Sequence, residues 1–289
     1  MAEAFGIVAG SVGIAAAFGA CVDCFGYIQL GRHFGKDYQT NILVLDLLRL
    51  RLSRWGEAVN IYEDSQLGNP TASLVELQTA KDTLLQIPVL FADSEKVFKK
   101  FKLSAENGEL LQFAPTDLAP RELVLHNRMR DLALTRQKKG SLLKLTSWAL
   151  YHGEQFTKLV DNIAKLLDGL EKLFPAPDRL QHLVREEVAI AAPEEQDLHV
   201  LDNISRGVEP LLQSTARTEI EERRAGHVYK NVVTVEKGKV LNGNSWSEAV
   251  VGQDLTGVPS FSHVFDGIRT EGEAKVQNGE RFGGKDFWD

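Results

Sequence analysis

The sequence predicts an all-α helical bundle followed by a C-terminal tail that has no globular core of its own and folds as a two-rung β-solenoid on assembly. Three observations predict this. Apolar residues recur at helical spacing from about residue 36 to 217, the first thirty residues are almost uncharged, and a stretch near the C-terminus is written twice at a spacing of 36.

The N-terminal stretch, residues 5–31, reads FGIVAGSVGIAAAFGACVDCFGYIQLG and holds a single charge, Asp23. Its length suits a membrane-spanning helix of about 20 residues. It is not a secretory signal, because the preceding Met-Ala-Glu-Ala carries no positive charge. Small residues recur at spacing four, in Gly6 and Gly10, Ala9 and Gly13, Ala15 and Gly19, and Ala16 and Ala20, which lets helices approach closely in a bilayer. The same composition also suits a tightly packed first helix in the resting protein, and a segment tolerated in both settings is suited to a switch. Asp23 would be costly at bilayer depth, which marks it as a functional residue. Cys21 and Cys24 supply half of a zinc site at most, with no second pair downstream, and read as ordinary helix residues.

Downstream, helices are expected at 42–55, at 74–102 with a kink at Pro88, at 117–138 with Pro120 near the start, and at 141–151. The clearest stripe is Phe156, Leu159, Val160, Ile163, Leu166, Leu167, Leu170 and Leu173, with Asp161, Lys165, Asp168 and Lys172 opposite and Pro175 and Pro177 closing it. Such stripes bury against one another as a bundle. The formal charge is -7 with signs interspersed and no basic stripe, which argues against a nucleic-acid partner. No phosphate loop, His-Glu-x-x-His or Gly-x-Ser-x-Gly motif is present, so the reading is a non-enzyme with no cofactor and no catalytic or metal site.

The duplication pairs residues 227–246, HVYKNVVTVEKGKVLNGNSW, with residues 263–282, HVFDGIRTEGEAKVQNGERF. His227 matches His263, Thr234 matches Thr270, Val240 matches Val276, Asn242 matches Asn278 and Gly243 matches Gly279, while Tyr229 with Phe265, Val232 with Ile268 and Trp246 with Phe282 keep their character. Charges reverse sign: Lys230 matches Asp266 and Lys237 matches Glu273. If the copies stack as β-layers about 4.7 Å apart, like charges repel and unlike ones pair, so the reversal is what stacking demands. Asn242 over Asn278 would form an amide ladder, and the like pair Lys239 over Lys275 must face solvent. A pair of β-hairpins in a small domain is the competing arrangement. Composition opposes it, since the segment 218–289 holds ten of the 24 glycines and no helical period. Such a tail is expected to be disordered as a monomer. Two rungs cannot enclose a core, so both edges want another chain, and end-to-end stacking of copies is a templated amyloid.

The segments FGIVAG, CVDCFGYIQLGR, LSRWGEAV and WALYHG, the two repeats and the terminal FGGKDFWD resemble the fungal HET-s/HET-S heterokaryon-incompatibility family along the whole chain. The resemblance implies a HeLo helical domain over 1–217, with residues 1–34 a latent membrane-inserting segment, and a prion-forming domain over 218–289. It implies that Tyr229, Val232, Val240, Phe265, Ile268 and Val276 line the amyloid core, that Lys230 with Asp266 and Lys237 with Glu273 form inter-rung salt bridges, and that Asn242 and Asn278 form the ladder. The family's third charge pair is absent, Val235 standing against Glu271. His33 stands where the inert prion type carries proline, and with Asp23 it aligns this chain with the cell-death type. The implied partners are other copies, homologous prion proteins, a NOD-like receptor with a matching amyloid motif and, on activation, the membrane; the implied location is the cytoplasm at rest and the plasma membrane when active. Two other readings stay open: a prion protein whose helical domain is not toxic, and a helical adaptor with a disordered tail.

Overall fold

The computed structural model describes residues 13–26, 28–30, 38–102, 117–137, 148–150, 153–224, 228–246, 263–279 and 281–282. The chain divides into two compact units, 1–216 and 217–289.

Eight helices occur among the described residues: α1 (Ile14–Phe25), α2 (Tyr38–Ala58), α3 (Leu74–Lys102), α4 (Pro120–Arg136), α5 (Gly153–Leu173), α6 (Pro177–Ala191), α7 (Glu195–Ser205) and α8 (Pro210–Arg224). Their starts follow local rules. Proline occupies the first position of α4, α6 and α8, where its missing N–H costs nothing. Ser73 and Glu76 form a capping box at α3, in which the Glu76 carboxylate accepts the Ser73 amide at 2.7 Å and Ser73 Oγ accepts the Glu76 amide at 3.2 Å.

Helix α2 is the axis of the first unit, in contact with α1, α4, α5, α6 and α7. It is buried on every side, with Leu43, Leu45, Leu47, Leu48, Leu50, Leu52 and Trp55 all inside. A helix with neighbours all round has no solvent face to show a period, which is why its apolar pattern is weak in sequence. Helix α5 is the opposite case. Its stripe of Phe156, Leu159, Val160, Ile163, Leu167 and Leu170 is buried and its charged side faces out.

One expectation is corrected. The helix expected at 141–151 is replaced, where described, by strand β2 (Trp148–Leu150), which pairs in parallel with β1 (Ile28–Leu30) at Ile28↔Trp148 and Leu30↔Leu150. That pairing joins segments far apart in the chain, and no local period reports it. The first helix ends at Phe25, followed by Gly26 and, beyond residue 27, by β1. Among the described residues, no helix is long and apolar enough to cross a membrane. Residues 1–12 and 31–37, which complete the N-terminal segment singled out above and include His33, lie outside the described residues.

The second unit carries the duplication as structure. Strands β3 (Val228–Lys230), β4 (Val233–Thr234), β5 (Lys239–Asn242) and β6 (Ser245–Trp246) form one rung, and β7 (Val264–Asp266), β8 (Arg269–Thr270), β9 (Lys275–Asn278) and β10 (Arg281–Phe282) the other. Each strand of the first rung pairs in parallel with its own copy: Tyr229↔Phe265, Thr234↔Thr270, Val240↔Val276, Trp246↔Phe282. Hairpins would have paired neighbours antiparallel, so the competing arrangement is not the one formed. The rungs turn at matching corners with left-handed backbone, Asn231 (φ 53°) over Gly267 (φ 65°) and Glu236 (φ 57°) over Gly272 (φ 72°).

Candidate functional site

Two sites emerge, one in each unit. The first is the stacked face of the two rungs. The Tyr229 and Phe265 rings lie parallel, with centroids 5.3 Å apart. Asn242 Nδ2 donates to Asn278 Oδ1 at 2.8 Å, so the amide ladder is present within one chain. Lys237 Nζ stands 3.9 Å from Glu273 Oε2. Lys230 and Asp266 are opposed in register and exposed, and Lys239 and Lys275 are opposed and exposed, as the like pair requires. Val232, Val240, Ile268 and Val276 are half-buried, as are Tyr229 and Phe265.

With two rungs, every inward side chain has a neighbour on one side only. Thr234 and Asn242 are the most enclosed residues of the stack, at 5% and 3% exposure. The identity of Thr234 with Thr270 is the sequence signal for this burial. Gly243, identical with Gly279 in the repeat, has a structural role. Its φ of 148° and the 2.0 Å that would separate a Cβ from the Gly279 carbonyl oxygen show that only glycine allows the rungs to meet there. Glu271 makes an ion pair inside its own rung, Oε1 to Arg269 Nε at 2.7 Å. The first rung offers exposed Val233 and Val235 at the matching positions.

The second site is the dock of α1. Its buried residues, Ala17, Phe18, Gly19, Ala20, Cys21, Val22, Cys24 and Phe25, pack on α3 and α2. Phe18 lies on Gly56 of α2 so closely that a Cβ there would come within 2.3 Å of its Cζ. Phe18 also meets Tyr62 edge-on at 5.7 Å, and Phe25 meets Phe91 of α3 at 5.2 Å.

The most specific contact uses Pro88. Inside α3, a proline at 88 has no N–H to give the carbonyl of Leu84, one turn earlier. Cys21 Sγ donates to that carbonyl oxygen instead, at 2.7 Å and fully buried. Asp23 is held by Gln137, just past the end of α4, whose Nε2 donates to Asp23 Oδ1 at 2.8 Å and to the Gly19 carbonyl at 3.0 Å. Both cysteines are free and buried. No group of metal-binding side chains occurs among the described residues.

Helix α2 carries three buried arginines, Arg49, Arg51 and Arg54. Arg51 reaches Glu171 at 2.9 and 2.6 Å, Asp168 at 2.6 Å and the Val208 carbonyl at 3.0 Å. Arg54 reaches Glu187 at 2.6 Å and Glu209 at 2.9 Å. Arg136 at the end of α4 closes on the other oxygen of Glu187. Burial pushes the Glu187 carboxyl up from the ordinary range, opposed by the charges of Arg54 and Arg136. Removing one member of such a cluster exposes the others to an unpaired buried charge.

Comparison with known proteins identifies the line to which these sites belong. A family model described as prion inhibition and propagation, the HeLo domain, matches residues 6–201. Heterokaryon incompatibility protein S and heterokaryon incompatibility protein s, both of Podospora anserina, are each 36% identical over 289 residues, covering all of both chains. The solved structure of the HET-s N-terminal domain matches 74% of this chain and 99% of its own, with a TM-score of 0.69 and 37% identity. A doubly substituted form of that domain matches with a TM-score of 0.67, 38% identity and coverage of 72% and 99%. The chain is therefore a member of the HET-s/HET-S family of HeLo-domain heterokaryon-incompatibility proteins.

Proposed function

We propose that this protein is an amyloid-controlled incompatibility effector in which templating of the tail activates the helical domain against a membrane. The observation that carries the reading is the in-register parallel pairing of each strand with its copy 36 residues on. A unit whose lower edge repeats the chemistry of its upper edge can add copies of itself without limit, and each addition pairs edge groups that would otherwise stay open. Lys230, Lys237, Asp266 and Glu273 then alternate in sign along the stack, with Tyr229, Val232, Val240, Phe265, Ile268 and Val276 inside and Asn242 and Asn278 as the ladder. The seed is another copy, a homologous prion protein, or a NOD-like receptor presenting a matching motif.

Ordering the tail disturbs the last helices of the bundle, and residues 1–34 leave their dock, insert in the plasma membrane and permeabilise it. Asp23 and His33 support reading the chain as the cell-death type of the family. The test is dye release from liposomes after full-length protein is seeded with tail fibrils. Release dependent on seeding is expected. Seeded fibrils without release would make this a prion whose helical domain is inert, and a tail that stays soluble without 4.7 Å cross-β diffraction would leave a helical adaptor.

A further inference from the structure

The buried Arg54 of α2 and the dock of α1 belong to one continuous polar chain. It starts at Glu209, the residue before α8, whose carboxylate does two jobs. One oxygen accepts the Leu212 amide and caps the helix, and the other lies 2.9 Å from Arg54 Nη2. Arg54 Nη1 lies 2.6 Å from Glu187 Oε2. The second oxygen of Glu187 takes Arg136 Nη1. The next residue along the backbone is Gln137, whose amide holds Asp23 and the Gly19 carbonyl of α1 at 2.8 and 3.0 Å. The chain thus joins the helix that leads into the tail to the helix at the N-terminus, through side chains that are almost wholly buried: Arg54 at 1%, Glu187 at 0% and Glu209 at 2% exposure.

We propose that Glu209, Arg54, Glu187, Arg136 and Gln137 form a relay that releases α1 when the first turn of α8 is displaced. Arg54 already has an unpartnered Nε. Taking Glu209 away leaves it with half of Glu187, a carboxylate that Arg136 also needs. Buried charge cannot stay uncompensated, so Arg54 and Arg136 compete for Glu187 and the last turn of α4 loses its anchor. Gln137 sits directly after that turn, held by its side chain at Asp23 and Gly19 and by its own amide at the Leu134 carbonyl at 3.0 Å. The inference rests on the proposed membrane role only for the consequence of release, not for the release itself.

The test uses the two cysteines, which are the protein's complement of thiols and both lie in α1. Thiol-labelling rates are measured on full-length soluble protein under native conditions for Glu209→Gln, Gln137→Ala, the double variant, and Leu198→Ala, a buried α7 substitution outside the relay, with global stability followed by urea unfolding. Glu209→Gln and Gln137→Ala should each speed labelling about 10-fold to 100-fold, the range expected for losing a hydrogen bond to a charged group. The double variant should fall well short of the product of the two, because each breaks the same chain. Multiplying effects, or equally fast labelling of Leu198→Ala after correction for its global stability, would overturn the relay. Wild-type protein seeded with sonicated full-length fibrils should label faster than unseeded protein. Fast labelling without liposome dye release supports the relay and overturns the membrane reading, whereas dye release without labelling overturns the relay.

Discussion

The contact between Cys21 and the carbonyl that Pro88 frees predicts a specific energetic coupling. Cys21→Ala removes the donor and leaves the Leu84 oxygen buried among residues at 0% exposure, including Leu84, Ile87 and Phe91. An unmet buried carbonyl costs about 1–3 kcal/mol. A thiol is a weak donor, which places the loss toward the lower end, with a packing cost from the lost sulfur on top. Cys21→Ser keeps a donor and should lose less. In a Pro88→Ala background residue 88 regains its own N–H, Leu84 is satisfied inside α3, and Cys21→Ala should cost only its packing part. The two substitutions should therefore be coupled by about 1 kcal/mol or more, read from urea midpoints of the wild type, both single variants and the double variant at one pH. Pro88→Ala alone mixes a helix-propensity gain of up to about 3 kcal/mol with lost packing of a buried ring, which is why the coupling, and not the single value, is diagnostic. Additivity within about 0.3 kcal/mol, or a Cys21→Ser as damaging as Cys21→Ala, would refute the reasoning.

Three further outcomes are expected. Tyr38 and Tyr62 are both pushed up to about 12, by burial first and then by Asp117 and Asp46 for Tyr38 and by Asp23 for Tyr62. A phenol in the unfolded chain titrates near 10, so the folded state holds protons the unfolded state has released between about pH 10 and 12, and stability should be full below that window and fall through it; Tyr62→Phe, which removes a hydroxyl without a partner, should keep neutral-pH stability and reduce that fall in urea titrations. Gly243→Ala should block fibril growth, since its Cβ would meet the Gly279 oxygen at 2.0 Å, and Gly279→Ala should block it too although nothing lies within 4 Å of it in one chain, because in a stack of copies the next molecule supplies that neighbour; elongation of Gly279→Ala at the wild-type rate, followed by thioflavin fluorescence, would contradict in-register stacking. Lys230→Asp should slow elongation by placing carboxylates on successive rungs, and adding Asp266→Lys should restore much of it.

What was legible in sequence depended on where each contact partner lies. The stripe of α5 and the bounds of α3 could be read because a helix with one buried face writes its period into the chain. The tail's register could be read because duplication records it twice, and its corners were available in the same record, Asn231 against Gly267 and Glu236 against Gly272. Strands β1 and β2 could not be read, since each is three residues long and finds its partner across more than a hundred residues. The relay was equally hidden. Arg51, Arg54, Glu187 and Glu209 look like solvated positions of ordinary helices, and Asp168 was assigned to the outward face of α5 although it bonds Arg51 from there.

The two sites share a physical device, a backbone or charged group whose partner is supplied from elsewhere. At the dock, the Leu84 carbonyl depends on Cys21, Asp23 depends on Gln137, and Arg54 depends on Glu209. At the tail, the open edge of each rung depends on the next copy. Contacts of this kind are local and all-or-none, unlike apolar burial, which declines gradually as surfaces part. The dock also has a modest apolar component, because small residues such as Ala17, Gly19 and Ala20 make up much of the buried face of α1, leaving Phe18, Val22 and Phe25 to supply most of it. A helix whose seat includes a few replaceable polar contacts is weakened at once when one of them is taken. A β-unit that gains the same set of contacts at every addition is suited to drive that removal.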